Sequence, residues 1–187
     1  MGTRIHLRRA SPGDVEAIRH VEIAAGTLFL TIGMAHIASD SPPTRRLLRT
    51  ALDRDLLWVA VADGDGDYGH EELVVAYGLG SQLDGHLHLE QVSVRPDYGR
   101  RGIGAQIFSA FELNAARAGM PMSTLFTFAD VPWNAPYYRR LGYRELRADA
   151  FGPQLANALR LEKKADGDGP SRIAMYRTLV TEIRDNS

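Results

Sequence analysis

The chain has 187 residues, 44% of them hydrophobic and 24% charged, the balance of an ordinary globular protein with a core of its own. Its 22 Lys and Arg against 23 Asp and Glu leave a formal charge of −1, which excludes holding nucleic acid by bulk charge. The absence of cysteine excludes disulfides, thiolate metal sites and a thiol nucleophile.

Arg4, His6, Arg8 and Arg9 interrupt the first apolar positions, so no secretory leader is expected there. No apolar run reaches membrane-spanning length, and a cytoplasmic protein with no membrane or nucleic-acid partner is the expectation. Ile5 and Leu7 alternate with polar residues as a first strand. Ser11-Pro12-Gly13-Asp14 then signals a helix, with Ser11 as cap and Val15, Ile18, Val21, Glu22 and Ala25 at helical spacing. Residues 26–41 are mixed. Ser41-Pro42-Pro43 introduces a second helix carrying Leu47, Leu48, Ala51 and Leu52. Arg45, Arg46, Arg49 and Arg54 read as its wet face rather than a basic patch.

Leu56–Ala62 and Leu73–Leu79 read as strands joined by the acidic, glycine-rich link Asp63–Glu72. That link starts like a calcium loop at Asp63, Asp65 and Asp67 and fails it at Tyr68 and Val74. Leu87–Val94 is the next strand. Ile103, Ile107, Phe111 and Ala118 line one face of a long helix, and Met122–Phe128 is a strand. A short helix over Asn134–Arg140 stops at Gly142, a strand begins at Tyr143, 153–164 is helical, and Ile173–Leu179 is the last strand. This order predicts a single α/β domain over 1–187, a mixed and mostly antiparallel sheet flanked by helices.

The stretch from Val92 to Ala105 carries the most information. An apolar strand ends at Val94, a turn follows, and Gly102 and Gly104 open a helix. Such a turn aims backbone N–H groups at one point with the positive end of a helix dipole behind them, which suits a phosphate. Arg100 and Arg101 add charge at its mouth. Neither the dinucleotide fingerprint nor the P-loop fits, since Ile107 stands where the first needs glycine and no Gly-Lys-Ser/Thr follows.

Val94-Arg-Pro96-Asp-Tyr98-Gly-Arg-Arg-Gly102-Ile-Gly104-Ala105 resembles the acetyl-CoA loop of the GNAT N-acetyltransferase superfamily. In that family the pattern is Gln/Arg-x-x-Gly-x-Gly/Ala. Gly102 and Gly104 match its glycines, and Gly99 departs at its first position. The resemblance implies a GNAT-like acyl-CoA N-acyltransferase fold, acetyl-CoA as co-substrate, and cofactor contacts from Val92, Val94, Gly99, Arg100, Arg101, Gly102, Ile103, Gly104 and Ala105.

Amine acetylation also needs a proton acceptor for the ammonium and a donor for the departing thiolate. His88 and Glu90, at i and i+2 of the strand that feeds the loop, share a face. The family places its bases near here, as Glu in some members. The arylalkylamine N-acetyltransferase branch has His-Leu-His, whose histidines fall on His88 and Glu90. His86 reads as structural. Three such groups along one flat strand do not close a coordination sphere, so no metal is expected.

In Trp133-Asn-Ala-Pro-Tyr137-Tyr138-Arg-Arg-Leu-Gly142-Tyr143, Tyr137 and Tyr143 read as core. The resemblance gives Tyr138 the role of donor to the CoA sulfur. The family's asparagine seven positions earlier falls on Val131, so that contact is absent. The expected catalytic set is thus Glu90, Tyr138 and His88. The expected activity is acetyl transfer from acetyl-CoA to the primary amine of a small molecule. Acetylation of a protein N-terminus or lysine, and a non-catalytic acyl-CoA-binding regulatory domain, are the alternatives. The acceptor is expected to be set by residues 26–41, the 79–86 loop and 149–153. The oligomeric state stays open, a homodimer included.

Overall fold

The computed structural model describes residues 4–32, 40–63, 72–129, 131, 134–166 and 171–179. Seven strands carry the fold: β1 (Ile5–Arg9), β2 (Leu57–Asp63), β3 (Glu72–Leu83), β4 (His86–Val94), β5 (Met122–Phe128), β6 (Arg144–Glu145) and β7 (Arg172–Thr178). The helices are α1 (Val15–Gly26), α2 (Arg45–Leu52), α3 (Ile103–Arg117), α4 (Ala135–Arg140) and α5 (Pro153–Asp166). The strand order is β1-β2-β3-β4-β5-β7-β6. β1–β2, β2–β3, β5–β7 and β6–β7 pair antiparallel and β4–β5 parallel, so the expected mixed, mostly antiparallel α/β class is found.

The chain forms two compact units. The first comprises Met1–Gly80 and Gln91–Ala110. Its core joins Val15, Ile18 and Val21 of α1 and Leu48 and Ala51 of α2 to Leu57, Val59, Val61, Val74, Tyr77 and Leu79. Spacings of three in the helices and two in the strands bring these apolar faces together. Asp14 starts α1 by accepting the Ser11 N–H at 2.7 Å and hydroxyl at 2.8 Å, and it takes both arms of the Arg8 guanidinium. α2 is capped by Thr44, whose hydroxyl accepts the Leu47 N–H at 3.2 Å, and begins at Arg45, after Ser41-Pro42-Pro43. Pro42 and Pro43 only lead into it.

The second unit comprises Ser81–Glu90 and Phe111–Ser187. Leu87, Leu89, Phe111, Ala115, Leu125, Phe128, Leu155, Leu159, Ala174 and Met175 are buried in it. β3 runs on to Leu83, so the segment 79–86 is no loop. It is strand closed by a two-residue turn, Asp84 (φ 50°) and Gly85 (φ 79°). Asp-Gly with both φ positive is the hairpin turn whose twist matches that of its strands. The Asp63–Glu72 link lies outside the described residues except at its ends, where Asp63 pairs with Glu72. Residues 33–39 of the 26–41 stretch also lie outside them.

Candidate active site

β4 ends at Val94, a single-turn helix over Pro96–Tyr98 follows, and α3 opens at Ile103, all in the first unit. Gly102 precedes α3 at φ 76°, with no atom within 4 Å of where a Cβ would stand. Only glycine adopts that backbone without strain, and the open space leaves room for a ligand at the main chain. The N–H groups of Ile103, Gly104 and Ala105 are the first of a fifteen-residue helix, so no carbonyl within α3 is placed to accept them. Arg100 holds positive φ beside Gly102 (60°), and the Arg101 guanidinium lies 5.0 Å from the Tyr98 ring and donates to the Asp97 carbonyl. The glycine turn, the two arginines and the opening N–H groups of α3 thus follow one another between Gly99 and Ala105. Gly99 differs in one respect: its N–H is spent on the Pro96 carbonyl at 3.1 Å. A Cβ at Gly99 would meet that same oxygen at 3.1 Å, a physical reason for glycine at this departure from the family pattern.

Glu22, which the sequence places on α1 without a site role, is held at one point of the first unit. Its Oε2 accepts the Tyr77 hydroxyl at 2.7 Å and the Ser93 hydroxyl at 2.6 Å, and its Oε1 accepts the Gln91 amide at 3.2 Å. Val92 and Val94, the expected cofactor contacts on β4, alternate with Gln91 and Ser93 and are half-buried.

In the second unit β4 pairs with β5 only over Leu87–Leu89, against Ser123–Leu125. His88 is 1% exposed. Its ring lies 4.4 Å from that of Phe126 and its Nδ1 is 2.9 Å from the Thr124 hydroxyl. Burial lowers the imidazole to about 4. Glu90 is different. Water reaches it, yet protein crowds it on other sides, and that loss of hydration pushes its carboxyl above the usual range. The Ser81 hydroxyl donates to Glu90 Oε1 and pulls part of the shift back. His88 and Glu90, expected as a pair, therefore differ in exposure and in charge behaviour.

Tyr138 sits on α4, half-buried, with the Tyr137 ring 5.4 Å and the Tyr143 ring 6.3 Å away. Burial pushes its hydroxyl up to about 12. Tyr143 fixes the end of this helix, because its N–H donates to the Tyr138 carbonyl at 3.0 Å. Its own hydroxyl donates to Glu112 at 2.8 Å and lies 2.7 Å from that of Ser123, and Arg177 completes the cluster on Glu112 at 2.9 Å. Tyr143 is buried as expected. Tyr137 is not: it is half-buried, with the Arg140 guanidinium over its ring.

The 79–86 segment is tied to the start of α5, just after the 149–153 segment. The Asp84 carboxylate accepts the N–H groups of Gln154 (3.0 Å) and Leu155 (2.8 Å), the first free donors of α5, while Gln154 accepts the Asp84 N–H. A Cβ on Gly152 would come within 2.3 Å of the Asp84 carboxyl carbon, so this clasp requires glycine. Among the described residues no three carboxylate or imidazole side chains gather as a metal site would need, and no helix is long and apolar enough to cross a membrane.

Residues 53–145 match the model of the acetyltransferase (GNAT) domain family. Solved structures share the fold at low identity. Ard1 from Thermoplasma volcanium is 15% identical with a TM-score of 0.61, over 94% of this chain and 98% of that one. The PaiA N-acetyltransferase from Thermoplasma acidophilum, in complex with coenzyme A, is 15% identical with a TM-score of 0.63, over 94% and 99%. Rv2747 from Mycobacterium tuberculosis, also holding CoA, is 20% identical with a TM-score of 0.63, over 94% and 99%.

Proposed function

Since the chain belongs to the GNAT family of acetyltransferases, we propose that it moves the acetyl group of acetyl-CoA to the primary amine of a small molecule, and that 1–187 works as one N-acetyltransferase domain. The observation that carries this reading is Glu90: a carboxylate open to water with its affinity for protons raised, two residues before Val92 on the strand that feeds the glycine loop.

The loop and the first turn of α3 take the pyrophosphate of acetyl-CoA on the N–H groups that follow Gly99, with Arg100 and Arg101 at its edge. The peptide groups of Val92 and Val94 lie beyond the ladder with β5, which supports their use on the pantetheine arm and on the thioester carbonyl. The amine nitrogen attacks the carbonyl carbon, an N–C bond forms and the C–S bond breaks. The ammonium proton goes to Glu90, directly or through a water. Tyr138, protonated at neutral pH, donates a hydrogen bond to the departing thiolate. His88 presents a neutral ring beside this strand. The acceptor is a small molecule rather than a protein, in a cytoplasmic setting.

Thioester cleavage measured with a panel of small amines and peptides tests this. Glu90→Gln is expected to lower turnover by roughly 10²-fold or more and to remove the acidic limb of the pH–rate profile, because protonation of the base silences it as pH falls. Turnover with peptides alone would move the acceptor to proteins. An unchanged profile in Glu90→Gln would remove Glu90 as base.

A further inference from the structure

β4 is supported unevenly along its length. Its ladder with β5 covers Leu87–Leu89 and ends there, so Gln91–Val94 draws no order from that strand. A strand segment with one unpaired edge twists and opens more readily than one paired on both sides. Its far end is tied down where the Arg95 N–H donates to the Val75 carbonyl at 2.9 Å. Before that point a brace reaches it from outside the sheet. Gln91 and Ser93, at i and i+2, share one face of β4, and both bond Glu22 of α1. The Ser93 hydroxyl donates to Oε2 at 2.6 Å and the Gln91 amide to Oε1 at 3.2 Å. The second amide hydrogen of Gln91 goes to Ser93 Oγ at 3.0 Å, so the two side chains also lock each other. Tyr77 adds its hydroxyl to Oε2 at 2.7 Å. A carboxylate offers acceptors alone and takes all three donors without reorienting, and bonds to a charged acceptor are the strong ones. Ser93 and Tyr77 are buried, which keeps water from replacing their bonds.

We propose that Glu22 is a positioning residue for the cofactor: through Ser93 and Gln91 it holds Gln91–Val94 in strand form, so that the peptide groups of Val92 and Val94 stand ready for the pantetheine arm. This rests on the reading above that acetyl-CoA uses those peptide groups. Val92 lies between the two residues that Glu22 grips and Val94 directly follows the second. Glu22, Tyr77, Gln91–Val94 and the glycine loop all belong to the first unit. A segment fixed beforehand spares the ligand the entropy of ordering it, and that saving appears as affinity. The pyrophosphate is taken by the loop, which Glu22 does not touch, so the brace serves one half of the cofactor and not the other.

The experiment titrates the full chain calorimetrically with CoA and with phosphoadenosine diphosphate, the nucleotide half of CoA without its pantetheine arm. Glu22→Ala and Ser93→Ala should each weaken CoA by about 10-fold, since the ligand then has to order the strand it binds, and leave the affinity for the nucleotide half unchanged. Tyr77→Phe is the control. It removes a bond of Glu22 to β3 and none to β4, so it should lower the melting temperature and spare CoA affinity. Unchanged CoA affinity in either alanine variant, equal losses for CoA and its nucleotide half, or the same CoA loss in Tyr77→Phe overturns the proposal. If Glu22→Ala does not fold, Ser93→Ala decides. A wild type that binds neither ligand refutes the acetyl-CoA reading, and amide hydrogen exchange then decides on the brace alone. Exchange at Val92 and Val94 should quicken by about 10-fold in Ser93→Ala and stay as it was in Tyr77→Phe. Equal rates in wild type and Ser93→Ala overturn it.

Discussion

The Thr124 hydroxyl determines which nitrogen of His88 keeps its proton. Thr124 spends its own proton on the Leu87 carbonyl at 3.1 Å, so it can only accept from His88, whose Nδ1 carries the hydrogen and whose Nε2 is left as a bare acceptor. Burial makes charging this ring unfavourable, and that has a measurable sign. The folded value of about 4 lies below the unfolded value near 6.5. The stabilisation is complete above the unfolded value and is lost as pH falls from there through 4. We expect acidification across that window to cost on the order of 3 kcal/mol through His88 alone, and His88→Phe to flatten the fall of melting temperature with acid. The same slope in both proteins would place the acid sensitivity elsewhere. A second residue-scale outcome concerns Tyr138. Its hydroxyl holds its proton to about 12, whereas a thiol ionises near 8.5. Full proton transfer to the thiolate is thus uphill, and the hydroxyl acts as a hydrogen-bond donor. Tyr138→Phe should lower turnover by about 10- to 100-fold with acetyl-CoA affinity and melting temperature unchanged, and Tyr137→Phe should be silent. Full activity in Tyr138→Phe leaves it a packing residue.

The strand-to-helix element gives the next test. Nothing surrounds a Cβ at Gly102, so Gly102→Asp meets only the strain of φ 76° and the charge it brings to the loop. Calorimetric titration with CoA should show affinity reduced by roughly 10- to 100-fold, as a carboxylate faces the phosphates. Gly119 shares the strained φ (77°) and the open surroundings at the far end of α3, so Gly119→Asp should match it in stability loss and keep CoA affinity.

Most elements were legible in the chain because periodicity and punctuation agree: Gly142 stops α4 at φ 90°, and Val15, Ile18 and Val21 bury one face of α1. β3 runs past Leu79 because Gly78, Gly80 and Ser81, loop-like in composition, are strand, and the Asp84-Gly85 turn further on closes it. α2 begins at Arg45, later than Ser41-Pro42-Pro43 suggests, because Thr44, directly before the first turn, can reach its N–H groups. The strand-turn-helix around Gly102 could be read because local sequence carries it. The Glu22 and Glu112 clusters could not, as each joins residues from distant parts of the chain, with 55 and 71 positions between Glu22 and its partners Tyr77 and Ser93.

At the scale of the molecule, the chain passes from one unit to the other between Gly80 and Ser81, between Glu90 and Gln91, and between Ala110 and Phe111. β3, β4 and α3 are each cut by one of these passages, so no unit owns its elements outright. We expect one calorimetric transition with van't Hoff and measured enthalpies in agreement, and two resolved transitions would show independent domains. The same interleaving sets a timetable for synthesis. A nascent chain emerging as far as Gly80 has none of Gln91–Ala110, and the glycine loop is among the last parts of the first unit to be translated. Co-translational folding, which favours contiguous N-terminal blocks, must here wait for a segment made after part of the second unit. On the reading above, acetyl-CoA can therefore act as a folding ligand only for chains already extended past the first turn of α3.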